Sequence, residues 1–141
     1  MDLSIVNQSQ MRIPRKYIEG AIEFFIKNSP AKHKKELSQE LSIVFIDQRT
    51  AKKLNRESRG KDYATDVLSF EGFPGSLGEL VLCPEVIQRQ SKEHGFSFRD
   101  EAVYLIFHGV LHLLGYEHES NENDAKRMFR LQDRIFQSFL D

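Results

Sequence analysis

Apolar positions recur along this chain with two periods, and each switch between them predicts an element boundary. Residues 3–6 alternate as a first strand. Pro14 opens a helix that runs to about residue 28, with Ile18, Ala21, Ile22, Phe25 and Ile26 on its inner stripe. Residues 41–46 form a compact β-branched strand, and Asp47 suits the N-cap of a short helix through Leu54. A polar loop follows over 58–65. Residues 66–70 and 79–83 read as two further strands, joined through Gly72-Phe73-Pro74-Gly75. Pro84 starts a helix ending near Gly95, and Ser97 caps the next one. A last helix spans about 122–139, with Ala125, Met128, Phe129, Leu131, Ile135 and Phe136 turned inward. The sum is one small α+β domain over residues 1–141, with a mixed sheet of about four strands packed with about five helices.

The helix after Ser97 departs from the amphipathic pattern. Between residues 102 and 114 every side chain is apolar except at His108, Gly109 and His112. A helix apolar on all sides is buried, and this run is too short to cross a bilayer, which takes about 20 residues. Two imidazoles four apart share one face of it, about 5–6 Å apart at Cβ. Gly115 lets the helix stop and the chain turn back, so that His118 can join them. Three imidazoles around one Zn²⁺ leave its fourth position open, the mark of a catalytic rather than a structural zinc. One ion per chain, held by His108, His112 and His118, is the expectation. The spacing H-x3-H-x5-H with an intervening glycine matches the metzincin protease pattern, but Gly109 stands where that pattern needs its general-base Glu.

His108-Gly-x-Leu-His112-Leu-x-Gly-Tyr-x-His118 resembles the signature of the YbeY family, bacterial metal-dependent endoribonucleases of ribosomal RNA maturation. Further blocks agree: Leu54-Asn55, Arg59-Gly60-Lys61-Asp62, Thr65-Asp66-Val67-Leu68-Ser69-Phe70 and Leu77-Gly78-Glu79-Leu80. The family usually has Asp where this chain has Glu79 and Glu117, swaps that keep the carboxylate and lengthen its reach. The resemblance implies a zinc-dependent endoribonuclease specific for single strands, acting in small-subunit rRNA processing and ribosome quality control. It implies RNA and small ribosomal subunit proteins as partners, and places Arg59 in the active-site cleft. Glu117 and Glu79 are candidates for orienting a ligand or water. Two rival readings stand beside it: a metzincin-like metalloprotease, and a non-catalytic RNA-binding module with a structural metal.

Charge adds an asymmetry. The net charge is −1, but residues 1–61 carry a balance of +6 and residues 62–141 one of −7. A basic N-terminal half could face phosphates, with Lys27, Lys32, Lys34 and Lys35 as a candidate backbone contact, although a solvated loop is the plainer reading of that run. No helix-turn-helix or zinc-finger pattern for reading duplex DNA is present. His33 and His94 have no partner pattern and read as surface residues, while Phe70 and Phe73 could stack on a base but read better as core. The lone Cys83 permits no intrachain disulfide, and the first residues show no secretory leader, so a cytoplasmic protein with no membrane contact is expected.

Overall fold

The computed structural model describes residues 1–119 and 121–141. Among them lie four strands and five α-helices: β1 (Asp2–Asn7), α1 (Arg15–Asn28), β2 (Glu40–Phe45), α2 (Gln48–Arg59), β3 (Val67–Glu71), β4 (Ser76–Leu82), α3 (Pro84–His94), α4 (Phe98–Leu113) and α5 (Glu122–Leu140). Two single 3₁₀ turns, Ala31–His33 and Glu36–Ser38, connect α1 to β2. The sheet order is β1-β2-β4-β3, with β1, β2 and β4 parallel and β3 antiparallel to β4.

The two faces of the sheet bury different helices. Leu41, Ile43, Phe45, Leu80 and Leu82 meet α1, α4 and α5 in the main core. Leu68 and Val81 meet Ala51 and Leu54 of α2 on the other face. Side chains alternate along a strand, so Glu79, between Gly78 and Leu80, points to the α2 side and away from α4. Helix α4 is enclosed by the sheet and by α1 and α5, which is why its sequence is apolar nearly all round. Only the stripe Tyr104, His108, His112 is left part-exposed along its middle. No helix among the described residues is long and apolar enough to cross a membrane.

Strand β3 is a sheet edge. Its even-numbered residues bond β4, as the Cys83 N–H to Asp66 carbonyl (3.0 Å) and Gly72 N–H to Leu77 carbonyl (3.3 Å) bonds show at either end. The alternation of an antiparallel ladder therefore turns the backbone N–H and C=O of Val67, Ser69 and Glu71 outward. The Asp66 carboxylate accepts the Val67 N–H at 2.7 Å.

Several local readings need correction. Helix α2 continues past Leu54 to Arg59, because the buried position one turn on from Ala51 is the polar Asn55, which hides the stripe in the sequence. Its N-cap is Asp47 as expected, accepting the Thr50 N–H at 2.8 Å. Phe73 is 85% exposed at the tip of the β3–β4 hairpin rather than packed in the core. Phe129 is exposed on α5 rather than turned inward. His33 is buried, not on the surface, because it bonds the distant Tyr116. His94 is exposed as expected, but it carries a partner, the buried Glu101, at 2.9 Å.

Candidate metal centre

Helix α4 ends where the sequence asks it to. Gly115 takes φ +100, its N–H bonds the His112 carbonyl at 3.0 Å, and the Tyr116 N–H bonds the Leu111 carbonyl at 3.0 Å. That pair of bonds is a Schellman cap, which satisfies the last carbonyls and reverses the chain. The reversal returns His118 to the two helical histidines. Ring centroids lie 4.6 Å apart for His108–His112, 5.0 Å for His108–His118 and 4.9 Å for His112–His118. One nitrogen from each ring lies within 4.8 Å of the other two.

The tautomers of two rings follow from their partners. Gln132 donates its Nε2 to the Tyr104 carbonyl at 3.2 Å, so its Oε1 faces His108 Nδ1 at 3.0 Å. An amide oxygen only accepts, so His108 Nδ1 carries the proton. The same holds for His112 Nδ1 against the Tyr116 carbonyl, at 3.0 Å. Both Nε2 lone pairs are left facing each other, 3.0 Å apart. Two acceptors at that distance repel unless a cation lies between them. Bonds of about 2.0–2.1 Å at tetrahedral angles set nitrogen separations of roughly 3.3 Å, so the donor set fits a zinc-like ion. Burial also pulls both imidazoles below their ordinary pKa, with neighbouring histidines adding to the effect, which favours the neutral, ligating form.

The histidines open onto a cleft of about 800 Å³. Arg59 reaches it from the end of α2, an exposed helix terminus rather than the polar loop expected from sequence. Glu117, exposed in the turn before His118, lines it as well. The open β3 edge contributes Ser69 and Glu71, and α5 contributes Phe129. Glu79 is not among the lining residues, in keeping with its place on the opposite face of the sheet. Gly109 explains itself in packing. A Cβ there would stand 2.6 Å from Leu80 Cδ2, so with Leu80 where it is the helix needs a glycine to lie this close to β4.

Sequence reasoning missed Gln132, although a glutamine in the apolar series Met128, Gln132, Ile135, Phe136 is a readable signal of a buried hydrogen bond. It missed a longer connection too. The buried His33 bonds the Tyr116 hydroxyl through Nε2 at 2.9 Å, and the Tyr116 carbonyl in turn holds His112. No local pattern could reveal a pair 83 residues apart.

Residues 4–140 match the family model described as Endoribonuclease YbeY. A protein of that name from Bdellovibrio bacteriovorus is 51% identical over 99% of this chain and 96% of its own length. One from Persephonella marina is 40% identical over 89% of this chain and 84% of its own. The solution structure of TM1509 from Thermotoga maritima superposes with a TM-score of 0.67 at 27% identity, covering 97% of this chain and 88% of that one. With the family model matching nearly end to end and the signature histidines gathered at one cleft, this chain belongs to the YbeY endoribonuclease family.

Proposed function

We propose that residues 1–141 act as one zinc-dependent endoribonuclease unit, with one Zn²⁺ per chain held by His108, His112 and His118. Its substrate is single-stranded RNA, in the cell the small-subunit ribosomal RNA during processing and quality control, with small ribosomal subunit proteins as partners in the cytoplasm. The observation that carries this reading is the convergence of three imidazoles, two with their tautomers fixed, on an open cleft that also receives Arg59. The ribosomal assignment is supported by family membership alone.

When bound, the ion supplies Lewis acidity at the floor of the cleft, enough to activate a water or polarise a phosphoryl oxygen. The protein's residues do the rest. The guanidinium of Arg59 offers a planar pair of donors that matches two phosphate oxygens and stabilises charge developing on phosphorus. Glu117 orients the attacking hydroxyl, from water or from the RNA ribose, through its carboxylate. Gln132 and the Tyr116 carbonyl keep the two helical imidazoles aimed inward. An unpaired strand can bend to bring one phosphate to the floor of the cleft, as a stiff duplex cannot. Peptide hydrolysis by the metzincin route is disfavoured because Gly109 offers no side chain to act as that route's base.

The test compares purified protein with its His112→Ala, His118→Ala and Arg59→Lys variants. Metal content should be near one per chain and fall strongly in both histidine variants. Single-stranded RNA should be cut, with matched duplex, DNA and a peptide left intact, and chelator should stop the reaction. Arg59→Lys should cut poorly while keeping its metal and its Tm, because lysine keeps the charge and loses the planar fork. Full metal retention in both histidine variants, or peptide cleavage without RNA cleavage, would overturn the reading.

A further inference from the structure

Phe129 is out of place for a helix residue that does only structural work. Helix α5 buries Met128, Gln132, Ile135 and Phe136, and the residues between them are mostly polar. Phe129 is 38% exposed among them and lines the cleft. Its ring lies against two of the three histidines, with centroids 5.8 Å from His108 at an interplanar angle of 26° and 5.6 Å from His118 at 44°. The imidazoles pack against the ring, and its exposed part belongs to the cleft wall.

The charge around it is unusual for this half of the chain. Residues 62–141 are net acidic, yet four of their seven Lys/Arg lie on α5: Lys126, Arg127, Arg130 and Arg134. All four are exposed, and Lys126 and Arg130 sit within one turn of Phe129. An aromatic ring beside the histidines, with Lys126 and Arg130 on its own helix and Arg59 in the same cleft, is a combination that binds unpaired nucleotides: the ring stacks a base while the cations meet backbone phosphates.

We propose that Phe129 is the stacking platform of a nucleobase subsite, taking the base of the nucleotide next to the phosphate held at the histidines. The proposal rests on the RNA-cleaving function given above. The subsite tolerates all four bases, since every base has a π-face, and it requires that the base be free of a duplex partner.

Binding can be read apart from cleavage. Short labelled single-stranded RNAs are titrated with the full chain in excess chelator, so that nothing is cut, and metal affinity is measured separately by competition with a chromophoric chelator. Phe129→Ala should weaken RNA binding by about 5- to 150-fold, the span of one base–aromatic stack, with Phe129→Tyr and Phe129→Trp restoring it. Metal affinity should stay near wild type in all three. RNAs with a single abasic site, moved along the strand, should show one position at which wild type loses affinity and Phe129→Ala loses no more. Equal RNA binding by wild type and Phe129→Ala, or a loss in Phe129→Ala that no abasic position reproduces, would overturn the subsite while leaving the nuclease reading intact. A loss of metal affinity matching the loss of RNA binding would make the ring a structural shield and overturn the subsite as well. A wild-type protein that neither binds nor cuts RNA would remove both.

Discussion

Gln132 grips the imidazole of His108 at 3.0 Å, and the other end of the same amide, fixed on the Tyr104 carbonyl, decides which way round it does so. A side chain with no solvent exposure on α5 thereby sets the proton of a histidine in the α4 cluster. Gln132→Leu should lower metal affinity by about 10- to 100-fold, the usual cost of losing such an outer hydrogen bond. It should also cost about 1–3 kcal/mol of stability by leaving the part-buried His108 Nδ1–H without its acceptor. Gln132→Glu separates the two effects. It still accepts from His108 and should keep most of the metal affinity, yet it faces the Tyr104 carbonyl with an acceptor and should destabilise the metal-free protein. Competition titration and denaturant unfolding read the two quantities independently.

Gly109 and Leu80 pack so closely that an added Cβ would have to displace the leucine. Gly109→Ala should destabilise by about 1–3 kcal/mol through overpacking. Leu80 is fully buried, so Leu80→Ala alone should cost about 2–5 kcal/mol. The double variant should be more stable than the sum of the two losses predicts, because each change makes room for or fills the other. Strict additivity in urea unfolding would mean that α4 and β4 do not meet as described.

His33 and Tyr116 tie the connection after α1 to the turn that carries His118. Tyr116→Phe should cost about 1–3 kcal/mol by leaving the buried His33 nitrogen without its partner. Because the backbone carbonyl of residue 116 still holds His112, metal affinity should change much less than in Gln132→Leu. A metal loss as large as that of Gln132→Leu would show that the hydroxyl, not only the carbonyl, governs His112.

Two sets of histidines tilt the stability of the metal-free protein in opposite directions. Burial lowers the pKa of His108 and His112, so the unfolded chain takes up protons near pH 6.5 that the folded chain still refuses. Stability should therefore fall as pH drops below about 6.5 toward the lowered values. His94 is raised by its hydrogen bond to Glu101. Its contribution is full below about 6.5 and is lost as pH rises through the raised value. Unfolding in chelator from pH 5 to 8 checks both limbs. His94→Gln should flatten only the upper one, and His108→Gln with His112→Gln only the lower.

The sheet, the order of its helices and the clustering of three histidines are legible in the sequence because each leaves a local mark. A β-branched run announces β2, and H-x3-H followed by Gly115 announces both the histidine face and the turn. What stays hidden is polar residues working inside the protein. Asn55 is fully buried and donates to the Tyr63 carbonyl at 2.8 Å, so a core position of α2 looks like surface in the sequence and the helix reads too short. Gln132 and His33 find partners far along the chain, and Glu79 reads as a site residue although strand alternation sends it to the other face. Phe129 reads as core because the spacing of apolar residues on a helix cannot tell an interior wall from a cleft wall.

The open edge of β3, which lines the cleft beside the histidines, is also a place where a second copy of the protein could zip on and begin to aggregate. Two of the three outward-facing residues are guarded. The Val67 N–H is already taken by Asp66, and Glu71 puts a charge at the far end, leaving Ser69 between them. Charges and occupied donors are how edge strands resist pairing with their neighbours. Asp66→Ala combined with Glu71→Val should therefore enlarge the protein's apparent size at high concentration before it changes the fold, since the acidity along this rim is what keeps an unfinished sheet from pairing with its neighbour.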